Sequence, residues 1–281
     1  MMTVKTAFSA AKDNGYSALA ITEHGNMSSM FIALKESISS GVKYVPGIEF
    51  NIKDAGQEDT SRHLVVLASS DTGLKSVMRV AYASYDRSVD SPYILWEDLE
   101  GLDRNGVFVL SGCCDGALAV KTLLYGPRVG ESIVDRFMMM FGERFLIEVN
   151  VPYDDRQNDI NTLLTDLANK KGVRRVLALD SHFKSDEDRY LFNIFLAVQN
   201  KGSIYEKDSL FYYRPHLMKE DEIRRICNGS MDDAIDTSVE IADRCDNPID
   251  YLKPSSVFMM PKFDIASTKD YEEFLKWKGV S

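Results

Sequence analysis

Two rhythms of apolar residues alternate along this chain, and each predicts a kind of element. Val4, Ala7, Phe8 and Ala11 recur at i, i+3, i+4 and i+7, the stripe of an amphipathic helix, with Thr3 as N-cap and Gly15 as the stop. The continuous run Ala18-Leu19-Ala20-Ile21-Thr22 predicts a buried strand leading into Glu23-His24-Gly25-Asn26. A helix is expected from about Ser28 to Ser40, with Phe31, Leu34 and Ile38 inward and Gly41 ending it. A strand over Val45 to Ile52 follows, with Glu49 inside it. Then come a polar hairpin (Asp54 to Ser61), a strand from His63 to Ala68, and a helix marked by Leu74, Val77, Met78 and Ala81.

The alternation continues through a strand at Val107 to Leu110, helices at Ala117 to Leu124 and Glu131 to Phe141, and a strand at Phe145 to Val149. Ile160, Leu163, Leu164 and Leu167 mark another helix, and the strand Val176 to Leu179 delivers Asp180-Ser181-His182. Ser185 and Asp188 have capping-box spacing before a helix with Leu191, Ile194, Phe195 and Val198 inward. Apolar strands alternating with helices predict an α/β fold, best drawn as a β/α barrel. Past Gln199 the pattern changes. Leu210 to Tyr213 reads as a short strand, and charged helices are expected near Glu220 to Cys227 and Asp232 to Cys245. Pro248, Pro254 and Pro261 then interrupt the rhythm before a helical start at Thr268 to Lys278. The expected division is a barrel over 1–199, a barrel-closing and helical segment over 200–250, and a linker with the start of a further region over 251–281.

Composition narrows the function. A chain of 281 residues that is 44% hydrophobic can bury a sizeable core. A net charge of −10 argues against a surface built mainly to neutralise phosphates, while leaving room for a protein that meets DNA inside a larger assembly. Cys113, Cys114, Cys227 and Cys245 show no CxxC spacing, which fits reduced thiols. No apolar run approaches the ~20 residues of a membrane span, and Met1 to Lys5 is not followed by a signal-peptide core. A cytoplasmic protein with no membrane partner is expected.

Three of the four histidines stand at strand ends: His24, His63 and His182. Glu49, Cys113 and Asp180 occupy comparable places. In a parallel β/α barrel the carboxyl ends of the strands converge on one mouth, so these residue types together point to a divalent metal site. Imidazole, carboxylate and thiolate suit zinc, manganese or iron better than calcium or magnesium. Singly, each has an ordinary alternative: a hydrogen-bonded histidine, a small buried cysteine, a glutamate in an ion pair. His63 fits the rule least well, because it begins its strand.

The order Thr22-Glu23-His24-Gly25-Asn26, Gly47-Ile48-Glu49-Phe50, His63 to Ala68, Leu110-Ser111-Gly112-Cys113 and Asp180-Ser181-His182 closely resembles the PHP (polymerase and histidinol phosphatase) domain. More narrowly, it is similar to that domain in bacterial replicative DNA polymerase III alpha subunits, with Glu23 in place of the family's aspartate. Glu240 to Cys245 resembles the stretch where that domain hands over to the polymerase palm, and Tyr271 to Ser281 resembles the palm's entry.

The resemblance implies a distorted seven-stranded β/α barrel holding up to three metals at one mouth. It makes Glu49, His63 and Cys113 one metal's ligands, has His24 and His182 share a second, and joins Asp180 to Glu49 at a third. The family's opening His-x-His strand has no counterpart here, so the barrel is expected to lack its first strand. The Glu49/His63/Cys113 set then remains the best three-ligand site. If hydrolysis occurs, metal on that set would activate water while Asp180 and His182, the catalytic candidates, position a second metal or the phosphate. The implied role is the PHP portion of a DNA polymerase III alpha subunit, giving metal-dependent structural support or 3′–5′ exonuclease-type phosphoester hydrolysis, with weak or absent activity. The implied partners are the rest of the polymerase or a complementing N-terminal segment, replisome proteins, and DNA through the parent enzyme. The alternatives are a stand-alone metallophosphoesterase acting on a small phosphate ester and a non-catalytic replication scaffold.

Overall fold

A computed structural model describes residues 2–56, 62–199, 201–203, 216–252 and 269–278. The chain divides into two compact units, Met1–Tyr251 and Leu252–Ser281. The first unit holds every element considered below except the helix α11 (Lys269–Lys278), which belongs to the second. The expected strand at 210–213 and the tip of the hairpin at 57–61 lie outside the described residues.

The strands are β1 (Ala18–His24), β2 (Lys43–Lys53), β3 (Arg62–Ala68), the two-residue β4 (Ile94–Leu95), β5 (Val107–Leu110), β6 (Phe145–Asn150) and β7 (Arg175–Ala178). Helices α1 (Val4–Asp13), α2 (Met30–Ser40), α3 (Asp71–Arg87), α4 (Ala117–Tyr125), α5 (Pro127–Phe141), α6 (Asp155–Lys171) and α7 (Arg189–Gln199) alternate with them. Three more, α8 (Glu220–Cys227), α9 (Asp232–Arg244) and α10 (Pro248–Tyr251), follow. The sheet runs β1-β2-β3-β5-β6-β7, with β4 attached to β2. It forms a curled half-barrel: among the described residues, β1 and β7 are its two ends.

β3 departs from the parallel barrel drawn from sequence. It pairs antiparallel with both β2 and β5, while β1–β2, β5–β6 and β6–β7 are parallel. The amino end of β3 therefore lies at the same mouth as the carboxyl ends of its neighbours. That removes the difficulty with His63: a residue at the start of an antiparallel strand joins residues at the ends of parallel ones.

Side chains alternate across each strand, and one face turns into the concave side. Val45, Val65, Leu67, Phe108, Leu110, Leu146 and Val176 form an apolar layer there, joined by Ile241 of α9 and by Cys245. Following the same parity toward the mouth gives His24 on β1, Glu49 on β2, His63 on β3, Glu148 on β6 and Asp180 just beyond β7. The barrel is thus apolar in its depth and polar at its rim.

Local chemistry explains the helix starts. Thr3 Oγ accepts from Thr6 N–H at 3.2 Å, Ser70 Oγ from Gly73 N–H at 3.1 Å, and Asp154 from Gln157 N–H at 2.7 Å. Two expected faces were rotated. In α2 the buried residues are Met30, Ala33 and Ser37, while Phe31 and Ile38 are exposed. Ser37 holds the helix close to the sheet: its hydroxyl donates to Val42 O at 2.7 Å and accepts from Tyr44 N–H at 3.1 Å. In α7, Phe192 and Ala197 are buried, and Leu191, Phe195 and Val198 are exposed. In both helices, small or ring side chains that allow close approach decide which face is covered.

Candidate metal centre

Glu49 is the hub of the mouth. It is buried on β2, and its two oxygens reach two imidazoles: Oε2 lies 3.2 Å from His24 Nδ1 and Oε1 lies 2.9 Å from His63 Nδ1. The two imidazole rings sit 4.9 Å apart. Strand register produces this arrangement, because His24 is paired with Glu49 across the parallel β1–β2 ladder. The turn after β1 secures it, with Gly25 at φ +67° donating its N–H to Glu49 O at 2.8 Å.

Cys113 comes to the same place from β5. Its Sγ lies 3.5 Å from His63 Nδ1. Gly112 makes that approach possible. It stands at φ +82°, and a Cβ there would come within 2.7 Å of His63 O, so the loop can cross the start of β3 only without a side chain. The loop is also tied to β3 by His63 N–H donating to Asp115 O at 3.2 Å.

Among the described residues, ligand-type atoms within 4.8 Å of one another form two overlapping sets, His24/Glu49/His63 and His63/Cys113/Asp115. His63 belongs to both. Asp180 and His182 pair with one another, with His182 Nε2 3.1 Å from Asp180 Oδ1 and the imidazole stacked on Phe192 at 5.2 Å. Asp180 takes a left-handed backbone, φ +48°, a conformation that aspartate tolerates better than most residues. His24 and His182, which the family resemblance has sharing a metal, both line the trough at this mouth. Glu23 faces away from the mouth: it accepts from Ser29 N–H at 2.9 Å and Ser29 Oγ at 2.7 Å at the start of α2.

The electrostatics favour a cation. Burial alone would lower the His63 pKa, but the hydrogen bond it donates to Glu49 and the charges of Glu49, Asp115 and Asp180 outweigh it and hold it above the ordinary value. The Cys113 thiol is pushed up by its contact with Cys114, by burial and by Asp180 and Glu148. Glu148 is pushed up to about 8, chiefly by burial and then by Glu49 and Asp180. Several negative groups thus face one another in a small space, and a divalent cation is what would let them ionise together. Two imidazoles, a shared carboxylate and a neighbouring thiol are a fitting donor set. Asp115 and Glu148 were not among the residues singled out from the sequence. Glu148 had a signal there, a lone charge in the otherwise apolar run Phe145-Leu146-Ile147-Glu148-Val149.

Histidine, carboxylate and thiol gathered at one mouth of a β/α half-barrel define a class of protein with a candidate metal centre. The chain belongs to the PHP domain family, whose profile matches residues 1–152. Its relatives include the DNA polymerase III alpha subunits of Aquifex aeolicus, 25% identical over 96% of this chain and 25% of that protein, and of Thermus aquaticus, 26% identical over 92% of this chain and 22% of that protein. The chain spans about a quarter of the length of these curated relatives. Among solved structures, an amidohydrolase from Chromobacterium violaceum is similar at TM-score 0.42 and 16% identity, covering 63% of this chain and 81% of that one.

Proposed function

We propose that this chain is the PHP portion of a DNA polymerase III alpha-type subunit and that its mouth holds a divalent metal, zinc or manganese. The observation that carries the reading is the convergence of His24, Glu49 and His63 ligand atoms within 4.8 Å, on a chain homologous to those subunits across nearly its whole length. Glu49, His63 and Cys113 are the principal holders of the cation, with His24 and Asp115 beside them. A bound divalent cation supplies Lewis acidity toward a phosphoryl oxygen. The chain's own residues do the rest. Glu49 fixes the two imidazoles through its oxygens, and Asp180 holds His182 by its ring nitrogen so that the pair can orient a phosphoester at the rim. The site supports the parent subunit structurally or acts as a 3′–5′ exonuclease-type phosphoesterase. Its partners are the rest of the polymerase, other replisome proteins, and DNA reached through the parent.

Metal analysis of the purified chain tests the first half of this reading. About one equivalent or more of tightly held zinc or manganese, lost in His63→Ala, is the expected result. A chain that stays below about one equivalent in the presence of excess metal is a scaffold without a functioning centre. Metal-dependent release of nucleotides from single-stranded DNA, abolished in Asp180→Ala, tests the second half.

A further inference from the structure

We propose that Glu148 is an additional carboxylate ligand of this metal centre, set into the barrel wall below its rim. The inference rests on the metal reading above and deepens it. Strand parity places the side chain. Leu146 belongs to the interior apolar layer, so Glu148, two residues further along β6, points to the same concave side. It lines the same trough of about 690 Å³ as Glu49, Cys113, Asp180 and His182.

Its surroundings leave it unsatisfied. Glu148 is 2% exposed, and its Oε2 is sealed from solvent with no hydrogen-bond partner. Oε1 receives only a long contact from Asn150 Nδ2 at 3.4 Å, and that amide makes a shorter hydrogen bond, 3.0 Å, to Ala178 O. No lysine or arginine lines the trough among the described residues, although Glu49 and Asp180 do. A buried carboxylate facing other carboxylates needs either a proton or a cation. A proton would satisfy Glu148 alone. A cation at the mouth satisfies Glu148, Glu49 and Asp180 together, and it gives the idle Oε2 a partner.

Glu148→Gln separates the two cases, because it keeps the volume and removes the charge. The chain and this variant are stripped with a chelator and titrated with Mn²⁺ and Zn²⁺ by calorimetry, and the thermal unfolding of the metal-free forms is recorded. The expected result is a metal-free E148Q at least as stable as the parent, with metal affinity lower by about tenfold or more, or with one equivalent lost. Glu148→Asp, which keeps the carboxylate but withdraws it by one methylene, serves as the second variant and is expected to weaken binding in the same direction. If the parent binds metal and the folded variants match it in affinity and stoichiometry, Glu148 is a protonated structural acid and the proposal is overturned while the metal reading stands. If the parent itself binds no metal, the metal reading fails and this proposal fails with it.

Discussion

The middle of the sheet and its two ends carry the site in different ways. β5 and β6 are buried at every position and β2 at all but a few, whereas no residue of β1 is fully buried and β7 is buried only in its centre. Glu49, Cys113 and Glu148 belong to the buried arc; His24, Asp180 and His182 belong to the ends. On the arc, a ligand's position is fixed by ladders on both sides and by close backbone crossings such as Gly112 over His63. At the ends, it depends on one ladder, a tight turn, or a left-handed residue. The arc therefore holds its candidate ligands more firmly than the ends hold theirs.

The largest expected effect tests the arc as a load of buried apolar surface. Phe108 is fully buried in the interior layer, with the guanidinium groups of Arg144 and Arg244 on its ring at 4.7 and 4.9 Å. Phe108→Ala should cost about 3–5 kcal/mol, read from denaturant midpoints. Ile21→Ala on half-buried β1 should cost about 1–2 kcal/mol, since less area leaves water there to begin with. Equal losses in the two variants would erase the distinction between arc and end.

Metal affinity gives the next test. His63 belongs to both ligand sets, while His182 is paired with Asp180 just beyond β7. His63→Ala is expected to weaken metal binding by at least about 100-fold, and His182→Ala by about tenfold. The reverse order in a competition with a chromophoric chelator would move the centre to the β7 end.

A third test uses pH at the barrel's far end from the mouth. Cys245 packs into the interior layer, and burial pushes its thiol from 9.0 up to about 11. A raised folded-state value means that this contribution to stability is fully present below pH 9, where folded and unfolded chains are both protonated. It is lost as pH rises from 9 to about 11, because the unfolded chain ionises first. The loss should reach about 2–3 kcal/mol relative to Cys245→Ala, which lacks the thiol. Parallel stability curves for the two proteins over that range would mean that water reaches the layer.

How much of this was legible in the sequence follows the same division. Strand ends and residue types were enough to single out His24, Glu49, His63 and Cys113 as candidates, because ligand-type residues recurred at the ends of successive apolar runs. The direction of β3 was signalled only by the short polar hairpin before it, since such a connection joins antiparallel strands. The apolar run itself reads the same in either sense, so His63 looked misplaced in a parallel barrel. Asp115 sits in a loop whose path depends on Gly112, a tertiary crossing that periodicity does not encode. Glu148 was visible as a charge in an apolar strand but had no motif around it. The covered faces of α2 and α7 were misread because the large apolar residues lie outward and the contact is made by Ala33, Ser37 and Ala197. Hydrophobic size predicts burial poorly where close approach matters more.

The smallest effect separates two adjacent residues of β1 by strand parity. His24 turns to Glu49, and Glu23 turns outward to the start of α2, where its carboxylate takes Ser29 N–H at 2.9 Å, Ser29 Oγ at 2.7 Å and Ser28 Oγ at 3.3 Å. The α2 N-cap residue, Ser29, makes no side-chain cap of its own, so Glu23 supplies the acceptor and a favourable charge at the positive end of the helix. Glu23→Ala should therefore cost about 1 kcal/mol of stability and leave metal affinity unchanged. Glu23→Asp, one methylene shorter, should fall between the two. If Glu23→Ala weakened metal binding as strongly as His24→Ala, β1 would be presenting both residues to the mouth. The end of the sheet would then have to be twisted or register-shifted relative to the ladder that pairs His24 with Glu49.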